Sequence, residues 1–178
     1  MAEQFQKKWP KLKAAGYRIV AIDQHTQVVK TEQKRGWYTV NSRPRLAVSG
    51  GRKSINLLGA VTDDGDRFVS LIPGRLTAEI AKHFLRALQQ EFGRKLVIVL
   101  DNARYFTAKT LKKQATADGL LLEFLPPYSP ELNPLEQCWR QLKAARANRL
   151  FLTLADVKAF LKNALPTLTS PQIYEYLC

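Results

Sequence analysis

The sequence predicts an α/β chain whose central sheet is mixed, an antiparallel hairpin followed by parallel strands, with helices flanking it. Three observations carry this. Two strand-like runs, residues 54–62 and 67–72, face each other across Asp63-Asp64-Gly65-Asp66, which holds the Asp-Gly signal of a hairpin turn. Further on, strand-like runs at 95–102 and 120–125 alternate with helical patterns, which makes strands parallel. Residues 96–100 are Leu-Val-Ile-Val-Leu, a continuous apolar run of the kind buried on both faces of a sheet.

The elements follow in order. Residues 3–15 read as a short basic helix interrupted near Pro10. Residues 17–23 are the first strand, with Asp23 at its C-terminal end. Residues 25–53 are polar and basic, holding Lys30, Lys34, Arg35, Arg43, Arg45, Arg52 and Lys53 against the single acid Glu32. Trp37 and Tyr38 stand among them. Basic groups interleaved with aromatics suit a nucleic-acid backbone and an unstacked base; Trp37 equally suits the core of a short strand. The acids of the 63–66 turn read as solvated hairpin-tip residues.

Thr77 caps a helix over 77–92, in which Ile80, Phe84, Leu88 and Phe92 form the buried stripe. His83 lies beside that stripe as a partly buried packing residue. The 95–102 strand again ends in a carboxylate, Asp101. A basic helix over 107–117 carries Lys109, Lys112 and Lys113, and Gly119 ends it. Then comes Leu125-Pro126-Pro127-Tyr128-Ser129-Pro130-Glu131-Leu132-Asn133-Pro134-Leu135-Glu136. Its prolines restrict the residues before them to extended conformations. Asn133 is the natural N-cap, Pro134 suits the first helical position, and Glu136 falls in the first turn. That helix runs to about residue 150. A last amphipathic helix covers 153–165, capped by Thr153, and Pro166 and Pro171 punctuate a short helical tail.

Composition narrows the function. The chain has 178 residues, with 28 Lys and Arg against 15 Asp and Glu, a net charge of +13. An excess spread along the whole chain points to a polyanionic partner, nucleic acid above all. The two cysteines, Cys138 and Cys178, form no CxxC or Cys/His cluster, so zinc is not expected; free thiols suit a reducing cytosol. No apolar run approaches the ~18–20 residues of a membrane span, and no membrane association is expected.

Asp23 and Asp101 both close strands, and ligands of open α/β sheets bind outside the carboxyl ends of strands. Glu136 approaches from a helix's first turn. Three converging carboxylates repel one another unless they hold cations, and hard oxygen ligands select Mg²⁺ or Mn²⁺. Two such ions roughly 3.5–4 Å apart serve phosphodiester chemistry by activating a water or a 3′-hydroxyl and stabilising the leaving oxygen.

Asp23, Leu100-Asp101-Asn102-Ala103, and the 125–136 string with Trp139 and Lys143 resemble the DDE transposases of the mariner superfamily, in particular its prokaryotic insertion-sequence branch. The 34 residues between Asp101 and Glu136 match the spacing of that branch. The resemblance implies an RNase H-like fold over residues 17–165, after a basic lead-in at 1–16 and before a short helical tail at 166–178. It implies Asp23, Asp101 and Glu136 as the catalytic, metal-binding triad, with Mg²⁺ or Mn²⁺, two ions, as cofactor. The implied activity is DNA cleavage at element ends and transfer of the 3′-hydroxyl into target DNA, typically at TA. The partners are then element ends and target DNA, with a homodimer on DNA, in the prokaryotic cytosol at the nucleoid.

The DNA-binding candidates are Lys34, Arg35, Arg43, Arg45, Arg52 and Lys53, joined by Arg140 and Lys143 on the face of Glu136. The sequence departs from the family where Gln24 follows Asp23 in place of a frequent Glu, and where Phe106 replaces a frequent His. The family's helix-turn-helix region is also missing, so end recognition is expected from a separate polypeptide or an omitted segment. The alternatives are another RNase H-like nuclease and a non-catalytic DNA-binding remnant.

Overall fold

The computed structural model describes residues 2–93 and 95–177. After helix α1 (Ala2–Ala14), strand β1 (Arg18–Lys30) leads through residues 31–49 into β2 (Gly50–Thr62), which turns into β3 (Arg67–Ile72). Helix α2 (Ala78–Phe92) precedes β4 (Leu96–Leu100). Helices α3 (Arg104–Thr107) and α4 (Lys109–Ala117) precede β5 (Leu121–Phe124). The chain closes with α5 (Leu135–Arg146), α6 (Leu154–Ala164) and α7 (Tyr174–Leu177). The five strands lie in the order β3-β2-β1-β4-β5. β1, β2 and β3 pair antiparallel, while β4 and β5 run parallel to β1. This is the mixed sheet that the Asp-Gly turn and the later strand–helix alternation predict.

Strand parity sorts the core into two layers. Ile19 and Ala21 of β1, Leu57 and Val61 of β2, and Val97 and Val99 of β4 pack with Trp9, Trp139, Leu142 and Leu161. Val20, Ile22, Leu58, Ala60, Ile98 and Leu100 face the other way, onto Phe84, Leu85, Leu88 and Leu111. The sheet is thus covered by α5 and α6 on one side and by α2 and α4 on the other. The side on which odd-numbered residues of β1 and β4 fall is the side of α5.

Two caps form as the sequence predicts. Thr77 accepts from the Ile80 N–H, and Thr153 makes a reciprocal capping box with Asp156. Elsewhere packing overrides local signals. Pro10 does not interrupt α1. Its cost of about 3 kcal/mol in a helix interior is opposed by the burial of neighbouring Trp9, whose indole N–H donates to Leu177 O at 3.4 Å. The helix expected over 107–117 is α4, which starts at Lys109 after the extended Ala108 (ψ 131°), and the separate short α3 before it is not among the expected elements. α5 stops at Arg146 rather than near 150, since Ala147 is extended and Asn148 adopts φ 59°. His83 is exposed rather than partly buried.

β1 is much longer than residues 17–23. It keeps pairing with β2 out to Lys30↔Gly50, so Asp23 lies within the strand and not at its end. Its pairing with β4 does stop early, at Ala21↔Val99. Residues 31–49 form an arm that is exposed from 33 to 48, and Trp37 on it is fully solvent-accessible rather than in a core. The turn acids are ion-paired: Asp63 with Lys13 at 3.0 Å, Asp64 with Arg18 at 3.1 Å, and Asp66 with the same Arg18. Cys138 is a free, buried thiol; Cys178 lies outside the described residues.

Candidate active site

Parity and register bring the two aspartates together. Both follow odd-numbered core residues, so both belong to the α5 side of the sheet. Ala21 pairs with Val99 in the parallel ladder; carried on by two residues, the same register sets Asp23 beside Asp101. Asp101 comes just after β4 ends, and its Oδ1 accepts from the Ala103 N–H at 3.0 Å.

The 125–136 stretch then delivers Glu136. Leu125 N–H donates to Leu100 O at 2.9 Å, and Asn102 Nδ2 donates to Leu125 O at 2.7 Å, tying the start of the stretch to the end of β4. A 3-10 turn over Pro130–Leu132 leads to Asn133. Asn133 Oδ1 accepts from Leu135 N–H at 3.2 Å, while its Nδ2 donates to Ile22 O at 3.4 Å. Pro134 already has helical dihedrals (φ −61°, ψ −27°). Asn133 therefore caps α5, as its position predicts, and also pins the helix start to β1 beside Asp23. Asp23, Asp101 and Glu136 all line one cavity of about 440 Å³, which Pro126, Pro127 and Tyr128 help to wall.

The cavity is electrostatically unbalanced. Among the described residues none of the three carboxylates is in an ion pair. Burial pushes the Asp23 carboxyl up to about 7; the Trp139 indole and Gln24 backbone donors oppose the rise, and the charges of Glu136 and Asp101 add to it. Among the described residues no three His, Cys, Asp or Glu side chains are drawn together tightly enough to hold a metal ion. The carboxylates instead line the walls of a shared cavity. The donor chemistry fits a hard divalent cation: carboxyl oxygens that make no ion pair among the described residues.

A pH dependence follows. An acid whose folded pKa lies above its unfolded value takes up a proton on folding. Below about 4 Asp23 is protonated in both states and costs nothing. As pH rises through about 7 the folded state comes to bear the buried charge. Cation-free protein is expected to lose on the order of 3–4 kcal/mol between those limits. Thermal melts of wild type and Asp23→Asn from pH 4 to 8 check this. The variant should lack that loss, and parallel curves would show that the carboxyl is not desolvated.

The DNA-binding candidates lie elsewhere. Lys34, Arg35, Arg43 and Arg45 are exposed on the 31–49 arm, and Arg52 and Lys53 are exposed at the start of β2. Arg140 and Lys143 are exposed on α5; neither lines the cavity, and neither pairs with Glu136. Lys143 and Arg146 help hold His25 down to about 4, after burial as the main cause, so His25 is neutral near pH 7. Gln24 binds Asn56 Oδ1 (3.0 Å) and Thr26 Oγ1 (2.8 Å), and Phe106 is buried in the α2–α4 layer.

Sequence reasoning names Trp139 within the family string but assigns it no role in the site. Its Nε1–H donates to Asp23 Oδ2 at 2.8 Å in the interior. Its signal, one turn after Glu136 among Leu135, Cys138 and Leu142, is also that of an ordinary core stripe.

A family model described as DDE superfamily endonuclease matches residues 18–158, from β1 into α6. An uncharacterized protein, y4pE/y4sA, of Sinorhizobium fredii (strain NBRC 101917 / NGR234) is 38% identical over 66 residues, 36% of this chain and 47% of that protein. The chain thus spans about half the length of this curated relative. Among solved structures, the Mos1 transposase paired-end complex with left transposon end superposes with a TM-score of 0.76 at 19% identity, covering 97% of this chain and 54% of that one. The Mos1 mariner paired end complex with Mn gives 0.76 at 17% identity, over 99% and 56%. The catalytic domain of Mos1 mariner transposase gives 0.68 at 17% identity, over 99% and 84%. These structural likenesses show the fold, the RNase H-like one that the Mos1 catalytic domain shares. With the family model spanning the sheet, the cavity and all three carboxylates, the chain belongs to the DDE superfamily of endonucleases.

Proposed function

We propose that this chain is the catalytic domain of a DDE transposase, which cleaves DNA at element ends and joins the freed 3′-hydroxyl to target DNA, at TA sites. The observation that carries this is the convergence of Asp23, Asp101 and Glu136 on one cavity, with no ion pair to any of them among the described residues, in a chain of net charge +13. Asp23 and Asp101 offer oxygens from adjacent strands, and Glu136 offers its own from the first turn of α5. These three carboxylates would hold Mg²⁺ or Mn²⁺, two ions, which would supply the Lewis acidity for activating a water or 3′-hydroxyl and stabilising the leaving oxygen. Two Mos1 mariner paired end complexes were solved with Mn and with Mg, which supports this choice of ions.

The protein's own residues do the positioning. Asn133 holds the helix carrying Glu136 against β1, so the third carboxylate is placed by capping rather than by a mobile loop. The exposed cations of the arm and of β2, with Arg140 and Lys143, bind phosphates and set the duplex over the cavity. Trp37 and Tyr38 offer aromatic faces to an unstacked base. Element ends and target are the DNA partners; the active form is a homodimer on DNA, with end recognition by a helix-turn-helix polypeptide, in the prokaryotic cytosol at the nucleoid.

Nicking of supercoiled plasmid in Mg²⁺ or Mn²⁺ tests the reading, with wild type beside Glu136→Gln. The variant keeps shape and removes one charge. Wild type is expected to nick only with the cation, and the variant to be at background. Equal nicking by both would place the chemistry outside the cavity. Binding without nicking by either would mean that the chain needs its end-recognition part or is a DNA-binding remnant, and repeating the assay with that part fused on separates the two.

A further inference from the structure

We propose that Trp139 is a positioning residue for Asp23, presenting a single carboxylate oxygen to the cation and biasing the site toward Mg²⁺ over Ca²⁺; this rests on the reading that the three carboxylates hold divalent cations. The indole N–H is donated to Asp23 Oδ2 at 2.8 Å between buried groups. That bond ties Oδ2 to the indole, and among the described residues no other side chain donates to the carboxylate, whose remaining donor is the backbone of the adjacent Gln24. A cation that takes both oxygens must share Oδ2 with the indole.

The ring is itself held in a slot. Gly59 is the cross-strand partner of Asp23 in the β1–β2 ladder. A Cβ on Gly59 would lie 2.6 and 2.7 Å from two ring carbons of Trp139, closer than such atoms approach. On its other side the indole stacks on His25, with centroids 5.1 Å apart and planes 13° apart. The strand position opposite Asp23 thus lacks a side chain where the ring passes, and the ring ends with its only polar atom on the carboxylate. Trp9, the other fully buried tryptophan, donates instead to a backbone carbonyl at 3.4 Å.

The consequence for the ion is geometric. Mg²⁺ demands near-ideal octahedral coordination with short bonds, whereas Ca²⁺ takes six to eight oxygens and accepts bidentate carboxylates. A carboxylate with one oxygen tied down serves the first and handicaps the second. Hydrogen-bond partners of metal ligands are worth roughly 10–100-fold in affinity.

The test is Mn²⁺ binding followed by electron paramagnetic resonance, with Mg²⁺ and Ca²⁺ as competitors, on wild type and Trp139→Phe. Phenylalanine keeps an aromatic ring and removes the N–H. The variant is expected to lose roughly 10–100-fold in Mg²⁺ affinity but only about threefold or less in Ca²⁺ affinity. Unchanged affinities, or equal losses for both ions, would overturn the proposal. Equal losses would reduce Trp139 to a packing residue. A wild type that binds neither ion would overturn the triad reading and this proposal together.

A second measurement needs no folded variant. In ¹⁵N spectra of wild type, the Trp139 indole N–H resonance is expected to move on Mg²⁺ saturation, while that of exposed Trp37 stays fixed. A Trp139 resonance unmoved by saturating Mg²⁺ would also overturn the proposal.

Discussion

Asp101→Ala is expected to bring cation-dependent DNA nicking to background while DNA affinity at fixed salt stays within about twofold. A bound divalent cation contributes several kcal/mol to a phosphoryl-transfer transition state. At 1.36 kcal/mol per decade, losing about 4 kcal/mol slows the reaction roughly 10³-fold. Asp101 has little structural duty to confuse the result. Among the described residues its side chain only accepts from the neighbouring Ala103 N–H, and the end of β4 is held independently by Leu125 and Asn102. Nor does it share ground with the exposed Lys and Arg side chains of the arm. Nicking rates and fluorescence anisotropy on the same DNA check both halves. Undiminished nicking would remove Asp101 from the triad.

Arg146→Ala is expected to cost about 3–5 kcal/mol of stability. The residue is 1% exposed. Its guanidinium donates to Gln27 Oε1 at 2.6 Å, Val28 O at 2.7 Å and Lys30 O at 2.6 Å, approaches Glu32 at 3.3 Å, and lies over the Phe151 ring. Truncation leaves several acceptors unsatisfied away from bulk water, each at ~1–3 kcal/mol. For a chain of this size that lowers Tm by roughly 10 °C or more. Arg140→Ala, on the exposed face of the same helix, should stay within about 0.5 kcal/mol. Thermal and urea unfolding of the pair measure the contrast. A small loss at position 146 would mean that water replaces the guanidinium without penalty.

These two residues mark the limits of what the sequence discloses. Asp101 is legible because an unbroken apolar strand ending in a carboxylate is a local pattern, and Glu136 because a proline and an asparagine frame the first turn of its helix. The ends of β3 and of α2 are readable for the same reason: an Asp-Gly turn and a threonine cap act within a few residues. Arg146 is opaque because its partners stand 114 to 119 residues away. The extension of β1 is hidden for a related reason. Gln24, His25, Thr26 and Gln27 read as loop, yet they pair with β2, and Gln27 is buried against the arginine. The same distance hides the Trp139–Asp23 bond, formed across 116 residues. Polar groups that satisfy one another across the fold leave no trace in local pattern.

The early end of the β1–β4 ladder has a consequence for how molecules meet one another. β1 is an inner strand only as far as Ala21. Beyond that its outer rim is an edge, and Val28 and Lys30 turn carbonyls toward it. An open rim of that kind is a template on which a strand from another molecule can add. The guanidinium of Arg146 fills both carbonyls, capping the rim with a charge that no incoming strand can pair with. The residue that anchors the arm therefore also blocks edge-to-edge strand addition along this stretch of β1, while β3 and β5 remain the outer strands of the sheet.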